Sequence, residues 1–245
     1  MSNMSDKQSL KTAFVVGASS GMGRATAVTL AENGWRVLAT ARRLDRLEEL
    51  RSELQSKGHS IEVAACDVCQ REQVGGLIET ANRTLGRIDL LVYATGTNIP
   101  DRSLEKLTPE TWEMMLSTNL SGAFLCTTNA LPVMRANGGG QIIYLSTGAV
   151  QTPDVSGVAY QASKHGLAGL AHGTRVEEKQ NGIRTTIIFP GLCDTEIITK
   201  RPVPTAPEVL AQALQPQDVA DAVLFVASLP PRAVVPELQL LPATL

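Results

Sequence analysis

An apolar run at residues 12–16 stops at Gly17-Ala18-Ser19-Ser20-Gly21-Met22-Gly23, and Arg24-Ala25-Thr26-Ala27-Val28-Thr29-Leu30-Ala31 follows before Gly34. A short apolar run, a glycine-rich turn and a helix-compatible segment closed by glycine read as strand, loop and helix. A strand that feeds a helix in this way commits the chain to crossover connections and so to parallel strand pairing. In that setting the glycines let the backbone turn tightly and approach a pyrophosphate closely. The helix N-terminus behind them supplies free N–H groups and a partial positive charge. The alternative is a plain glycine turn, but the flanking strand and helix favour a dinucleotide site. Gly17, Ser19, Ser20, Gly21, Met22 and Gly23 are its candidate cofactor contacts.

The same alternation continues along the chain. Residues 36–41 (R-V-L-A-T-A) read as a second strand that ends at Arg42-Arg43, where a dinucleotide fold places its ribose-reading residue. A carboxylate there bonds the 2′-hydroxyl of NAD, whereas arginine accommodates a 2′-phosphate. No carboxylate appears before Asp45, which favours NADP(H), with Arg42 as first choice and Arg43 or Arg24 assisting. Leu44, Leu47, Leu50 and Leu54 mark an amphipathic helix that Gly58 can end. Residues 61–65 form a third strand running into Cys66-Asp67-Val68. Asp67 either accepts from an adenine amino group or caps the next helix, and both readings stay open.

Residues 88–92 are a fourth, apolar strand leading to Tyr93-Ala94-Thr95-Gly96. Thr108-Pro109-Glu110 opens a helix with Trp112 and Met115 on one face and Asn119 near its middle. Residues 141–145 are a fifth strand ending at Ser146, residues 160–180 a helix, and residues 183–189 a sixth strand followed by Pro190-Gly191. A helix at 216–228 and a last strand at 236–241 complete the pattern. Strands alternating with helices predict an α/β chain: a single Rossmann-like domain over residues 12–245, after a polar tail at 1–11. Its doubly wound parallel sheet has about seven strands with helices on both faces. Residues 193–215 carry Pro202, Pro204 and Pro207 with little periodicity, and read as a substrate lid.

Composition excludes several other classes. Lys+Arg 22 against Asp+Glu 24 leaves a net charge of -2, and aromatic residues are 4%. That balance argues against a nucleic-acid partner, since neither phosphate neutralisation nor base stacking is provided for. No apolar stretch is long enough for a membrane span and the start has no signal-type segment, so a soluble cytoplasmic protein is expected. Cys66, Cys69, Cys126 and Cys193 read as reduced structural thiols, because the lone C-x-x-C lacks a second ligand pair. His165 and His172 lie without an acid–histidine cluster and read as packing or interface residues, so no metal is expected.

Tyr160 and Lys164 stand four apart and therefore share a helix face. An ammonium near a phenol stabilises the phenolate, so the Tyr160 pKa is expected to fall towards working pH, which suits proton exchange with an alcohol or carbonyl oxygen. By itself Y-x-x-x-K is a frequent pattern.

In order and spacing, Gly17-x-x-x-Gly21-x-Gly23, Asp67, Asn119, Ser146, Tyr160-x-x-x-Lys164 and Pro190-Gly191 ending in Thr195 resemble the short-chain dehydrogenase/reductase family over nearly the whole chain. The resemblance implies that Ser146 orients the substrate oxygen and that Tyr160 is the general acid or base. It implies that Lys164 lowers the tyrosine pKa and holds the nicotinamide ribose, and that Asn119 supports a water linked to Lys164. It also implies cofactor contacts from Val68, Ala94, Gly96, Pro190, Gly191 and Thr195, and a homo-oligomer, dimer or tetramer. Three departures stand out. Tyr93-Ala94-Thr95-Gly96 replaces the usual Asn-Asn-Ala-Gly, Val16 replaces a threonine, and the carboxy end from Val235 to Pro242 lacks the common Asp-Gly-Gly. That ending resembles NADP-dependent serine and 3-hydroxy acid dehydrogenases.

The expected activity is alcohol–carbonyl interconversion with NADP(H) on a small polar substrate such as a 3-hydroxy acid, where Lys200 and Arg201 meet a carboxylate. A ketoreductase on a larger ketone in secondary or acyl-chain metabolism is the alternative within enzymes. A non-catalytic NADP-binding sensor or scaffold is the alternative outside them.

Overall fold

The computed structural model describes residues 10–244, so most of the expected polar tail lies outside the described residues. Strand β1 (Thr12–Val16) is buried throughout. Ala13 and Val15 point into one core and Phe14 and Val16 into another, the period-2 split of a strand covered on both faces. The strands that follow are β2 (Arg36–Ala41), β3 (Ile61–Ala65), β4 (Leu90–Tyr93), β5 (Gly140–Leu145), β6 (Ile183–Pro190) and β7 (Glu237–Leu240). They form one seven-stranded sheet in the order β3-β2-β1-β4-β5-β6-β7. Every pairing is parallel.

The connections are helical: α1 (Gly21–Glu32), α2 (Leu44–Ser56), α3 (Arg71–Leu85), α4 (Pro109–Leu116), α5 (Gly122–Ala136), α6 (Val158–Glu178), α7 (Pro207–Leu210) and α8 (Pro216–Ser228). Leu30 of α1, Leu47, Leu50 and Leu54 of α2 and Val219, Val223 and Val226 of α8 fill one core. Leu77 and Ile78 of α3, Ala123, Cys126 and Ala130 of α5 and Leu167 and Ala171 of α6 fill the other. The sheet thus carries helices on both sides, as the alternating pattern predicts. The α4 start also matches: Thr108 and Thr111 form a reciprocal capping box with Pro109 in the first turn.

After β3 the chain returns to the far side of β1 to lay down β4, so the strand order reverses between β1 and β4. Loops leaving the carboxyl ends of these two strands diverge and leave a crevice, the usual ligand position in an open parallel sheet. Residues 193–215 follow β6 and lead into α8. They contain a 3₁₀ turn at Glu196–Lys200, the single turn α7 and a bridge between Cys193 and Leu214 that closes the excursion. Among the described residues no helix is long and apolar enough to cross a membrane.

Candidate active site

The first loop shows why its glycines are there. Gly17 has φ +94, and its N–H and that of Ala18 both donate to the Thr40 carbonyl, which pins the turn against β2. A Cβ on Gly17 would lie 2.7 Å from the Thr95 nitrogen, and one on Gly23 would lie 2.3 Å from the Gly17 oxygen. Gly21 adopts φ +54 beside the Thr195 methyl group. Left-handed backbone and close approach therefore demand glycine at this turn. Ser20 precedes α1 in an extended conformation and its side chain does not cap the helix.

A cleft of about 570 Å³ opens in front of this loop, and Ser19, Ser20, Met22, Val68, Ala94 and Thr195 all border it. Arg42 and Arg43 border it too. Arg43 donates to the Ser19 hydroxyl at 3.2 Å, the Ser20 hydroxyl at 2.9 Å and the Glu196 carboxylate at 2.9 Å. Arg24, considered as a helper, instead pairs with Glu53 and lies outside the cleft lining. Asp67 has both features left open by the sequence. It lines the cleft, and its Oδ1 accepts from the Cys69 N–H at 3.0 Å to shape the turn ahead of α3. Pro190 and Gly191 differ from expectation, since neither lines the cleft. The Gly191 N–H donates to Leu240, and a Cβ there would press on Pro242 at 2.8 Å, so this glycine serves packing against the carboxy end.

Ser146, Tyr160 and Lys164 line the same cleft. Ser146 stands at the carboxyl end of β5 and is held by its N–H bond to Ile188 at 2.8 Å. Tyr160 lies in the first turn of α6 and Lys164 one turn further on. The Lys164 ammonium donates to the Leu145 carbonyl at 3.0 Å. Gly96 leaves room for it, since a Cβ there would lie 3.2 Å from Lys164 Nζ.

Asn119 sits in a π-helical turn, Ser117–Ser121, between α4 and α5, where one extra residue widens the helix. Its side chain is fully buried. Oδ1 accepts from the Thr97 N–H at 2.8 Å, while Nδ2 donates to the Thr97 carbonyl and the Ser163 hydroxyl, each at 3.0 Å. Ser163 in turn donates to the Tyr160 carbonyl at 2.7 Å. Asn119 therefore ties the loop after β4 to the helix that carries Tyr160 and Lys164.

The electrostatics depart from the sequence expectation. Burial pushes the Tyr160 phenol up to about 12, opposed by the Thr147 hydroxyl. Burial also pulls Lys164 down to about 8. Lys164 Nζ is 6.0 Å from the ring centroid and is engaged by Leu145, so desolvation of both groups outweighs the anticipated stabilisation of a phenolate.

Four contributors escaped the sequence reading. Tyr93, in place of the family asparagine, is buried and donates to the Thr118 carbonyl at 2.6 Å, tying β4 to the π-turn. Thr97 accepts from Lys200 Nζ at 2.9 Å. Arg102 is 9% exposed and donates to the Lys200 carbonyl at 2.6 Å and to the Ser156 carbonyl at 3.5 Å. Among the described residues its Nε has no hydrogen-bond partner. Glu196 is the fourth. Of the two cations expected to face substrate, Lys200 lines the cleft, while Arg201 does not and bonds Thr205. The long sequence separations of these contacts explain why no local pattern announced them.

Among known proteins, the family described as short chain dehydrogenase matches residues 11–203. The chain belongs to this family. A similar family member is an uncharacterized oxidoreductase of Staphylococcus saprophyticus, 34% identical over 251 residues, covering 100% of this chain and 99% of that one. Among solved structures, the closed form of serine dehydrogenase complexed with NADP+ is 30% identical with a TM-score of 0.85, covering 94% of each chain. A variant of actinorhodin polyketide ketoreductase with NADPH is 25% identical with a TM-score of 0.87, covering 95% of this chain and 96% of that one. Short-chain dehydrogenase membership accounts for the parallel sheet and for the convergence of the glycine loop with Ser146, Tyr160 and Lys164 on one cleft.

Proposed function

We propose that this enzyme interconverts an alcohol and a carbonyl with NADP(H), on a small polar substrate such as a 3-hydroxy acid. The observation that carries the reading is that one cleft is lined both by the glycine loop and by Ser146, Tyr160 and Lys164. The residues fit an elongated dinucleotide. Side chains at Gly17 and Gly23 would block the turn that a pyrophosphate needs to approach, and Arg42 and Arg43 stand at the β2 end to receive a 2′-phosphate. The structural relatives bound to NADP+ and NADPH support the same cofactor.

When bound, the nicotinamide supplies or accepts the hydride. Ser146 orients the substrate oxygen by hydrogen bonding, and Tyr160 delivers a proton to that oxygen in reduction or takes it in oxidation. Burial holds the phenol neutral at working pH, so it has a proton to donate to the substrate oxygen. Lys164 holds the nicotinamide ribose and offsets charge on the phenol. Asn119 keeps Thr97 and α6 in register, so that these groups act from fixed positions.

The polar-substrate reading is supported by Lys200, which borders the cleft, and by the buried Arg102 behind it; among the described residues neither forms an ion pair with a carboxylate. An anionic group on the substrate complements such a cluster. Residues 193–215 act as the lid over it. The test is NADP(H) absorbance turnover on a panel of 3-hydroxy acids, 3-oxo acids and apolar ketones. Turnover of ketones alone sinks the small-acid reading, and turnover of nothing sinks the oxidoreductase reading. We also infer a cytoplasmic homo-oligomer, supported by exposed Phe124 on α5 and Val176 on α6. Light scattering that returns a monomer refutes the oligomer.

A further inference from the structure

We infer that Glu196 is a specificity-determining residue that occupies Arg43, one of the two arginines placed to receive a 2′-phosphate, and must leave it before that phosphate can engage Arg43. This rests on the NADP(H) reading of the cleft. Glu196 opens the 3₁₀ turn Glu196–Lys200, and Thr195 before it packs its methyl group beside Gly21. The Cys193–Leu214 bridge anchors the same stretch from behind, with Asp194 N–H donating to Leu214 at 2.8 Å. This backbone delivers the Glu196 carboxylate to Arg43 at 2.9 Å.

The same Arg43 nitrogen reaches the Ser19 and Ser20 hydroxyls at 3.2 and 2.9 Å, so the carboxylate stands in the mouth of the glycine loop. The Arg43 and Ser20 contacts hold the Glu196 carboxyl below the usual carboxylate range, so it is charged at neutral pH. A second anion arriving at Arg43 meets like-charge repulsion until Glu196 withdraws. Because both partners are about half exposed, the pair is weak enough to be exchanged for a dianionic phosphate. A 2′-hydroxyl cofactor has no reason to displace it. Glu196 therefore opposes the 2′-phosphate form selectively.

The exchange also has a mechanical side. The turn is fastened to the glycine loop by Glu196, and to the far wall by Lys200 Nζ on Thr97 and Arg102 on the Lys200 carbonyl. Phosphate binding releases the first fastening and leaves the second.

The test is the dissociation constant of NADPH and of NADH, measured by protein-fluorescence titration at low ionic strength. The proteins are the wild type, Glu196→Gln, Glu196→Ala, Arg43→Ala and the Arg43→Ala/Glu196→Gln pair. Both Glu196 variants are expected to bind NADPH about three- to tenfold more tightly, with NADH shifted by less than about twofold. In the Arg43→Ala background the gain for NADPH is expected to vanish. An equal shift for both nucleotides, weaker NADPH binding, or a gain that survives loss of Arg43 overturns the role of Glu196. A wild type that prefers NADPH while the Glu196 variants keep the same ratio overturns this inference alone. A protein that binds neither nucleotide, or that binds both equally in the wild type and in both Glu196 variants, overturns the cofactor reading and this inference together.

Discussion

The Lys164 ammonium lies 6.0 Å from the centroid of the Tyr160 ring and donates to the Leu145 carbonyl, so the two groups face one cleft without a direct bond. Each is shifted towards its neutral form by burial, the phenol upward and the amine downward.

Replacing Tyr160 with phenylalanine removes the proton donor and keeps the ring that lines the cleft. Turnover is expected to fall by about 10² or more with NADPH affinity nearly unchanged. Stopped-flow turnover beside a fluorescence titration of NADPH checks both, and unchanged turnover would refute the assignment of the donor.

Lys164 has an ordinary value of 10.5 and sits at about 8 in the folded chain. Between those values the unfolded chain binds the extra proton, so stability from this group rises with pH. The burial cost of the ammonium is present below about 8 and is relieved as pH climbs towards 10.5. Wild type minus Lys164→Met, followed by urea unfolding at pH 7.5 to 10, should gain stability on the order of 1–3 kcal/mol across that range. A flat difference would mean that the amine titrates normally.

A methyl group at Gly23 would meet the Gly17 carbonyl oxygen at 2.3 Å and the Ala94 Cβ at 3.0 Å, with no flexible side chain to yield. Gly23→Ala is expected to lower the unfolding free energy by about 2 kcal/mol or more and to abolish dinucleotide binding. Calorimetry and nucleotide titration measure the two losses separately.

Lys200→Met should reduce kcat/KM by about 10- to 100-fold for substrates that carry a carboxylate. A neutral ketone should change by less than about threefold. A uniform loss across both kinds of substrate would mean that Lys200 serves only to hold its loop against Thr97.

The alternation that predicts the fold is local. Each strand is a short apolar run and each helix an amphipathic one, so the parallel sheet and its two cores follow from period and punctuation. The glycine loop was equally legible, because backbone conformation there dictates residue type. Contacts across the cleft were not. Glu196 and Arg43 are 153 positions apart, and Arg102 and Lys200 are 98 apart, distances over which no spacing rule operates. The tyrosine pKa was misjudged for a related reason. Helical spacing gives proximity to Lys164, while the direction of the shift depends on burial, which only the packed fold supplies.

The π-turn at Ser117–Ser121 has a consequence for chain length. A π-turn absorbs its extra residue as a bulge and not as rotation, so deleting that residue would leave α5 nearly in phase with α4 while removing the bulge that carries Asn119. Ala123, Cys126 and Ala130 would stay on the core face, whereas Asn119 would lose the position from which it bonds Thr97 and Ser163. The extra residue is therefore retained for the site and not for the core: a single-residue deletion in this turn would spare the packing of α5 and cost the tie between the loop after β4 and α6.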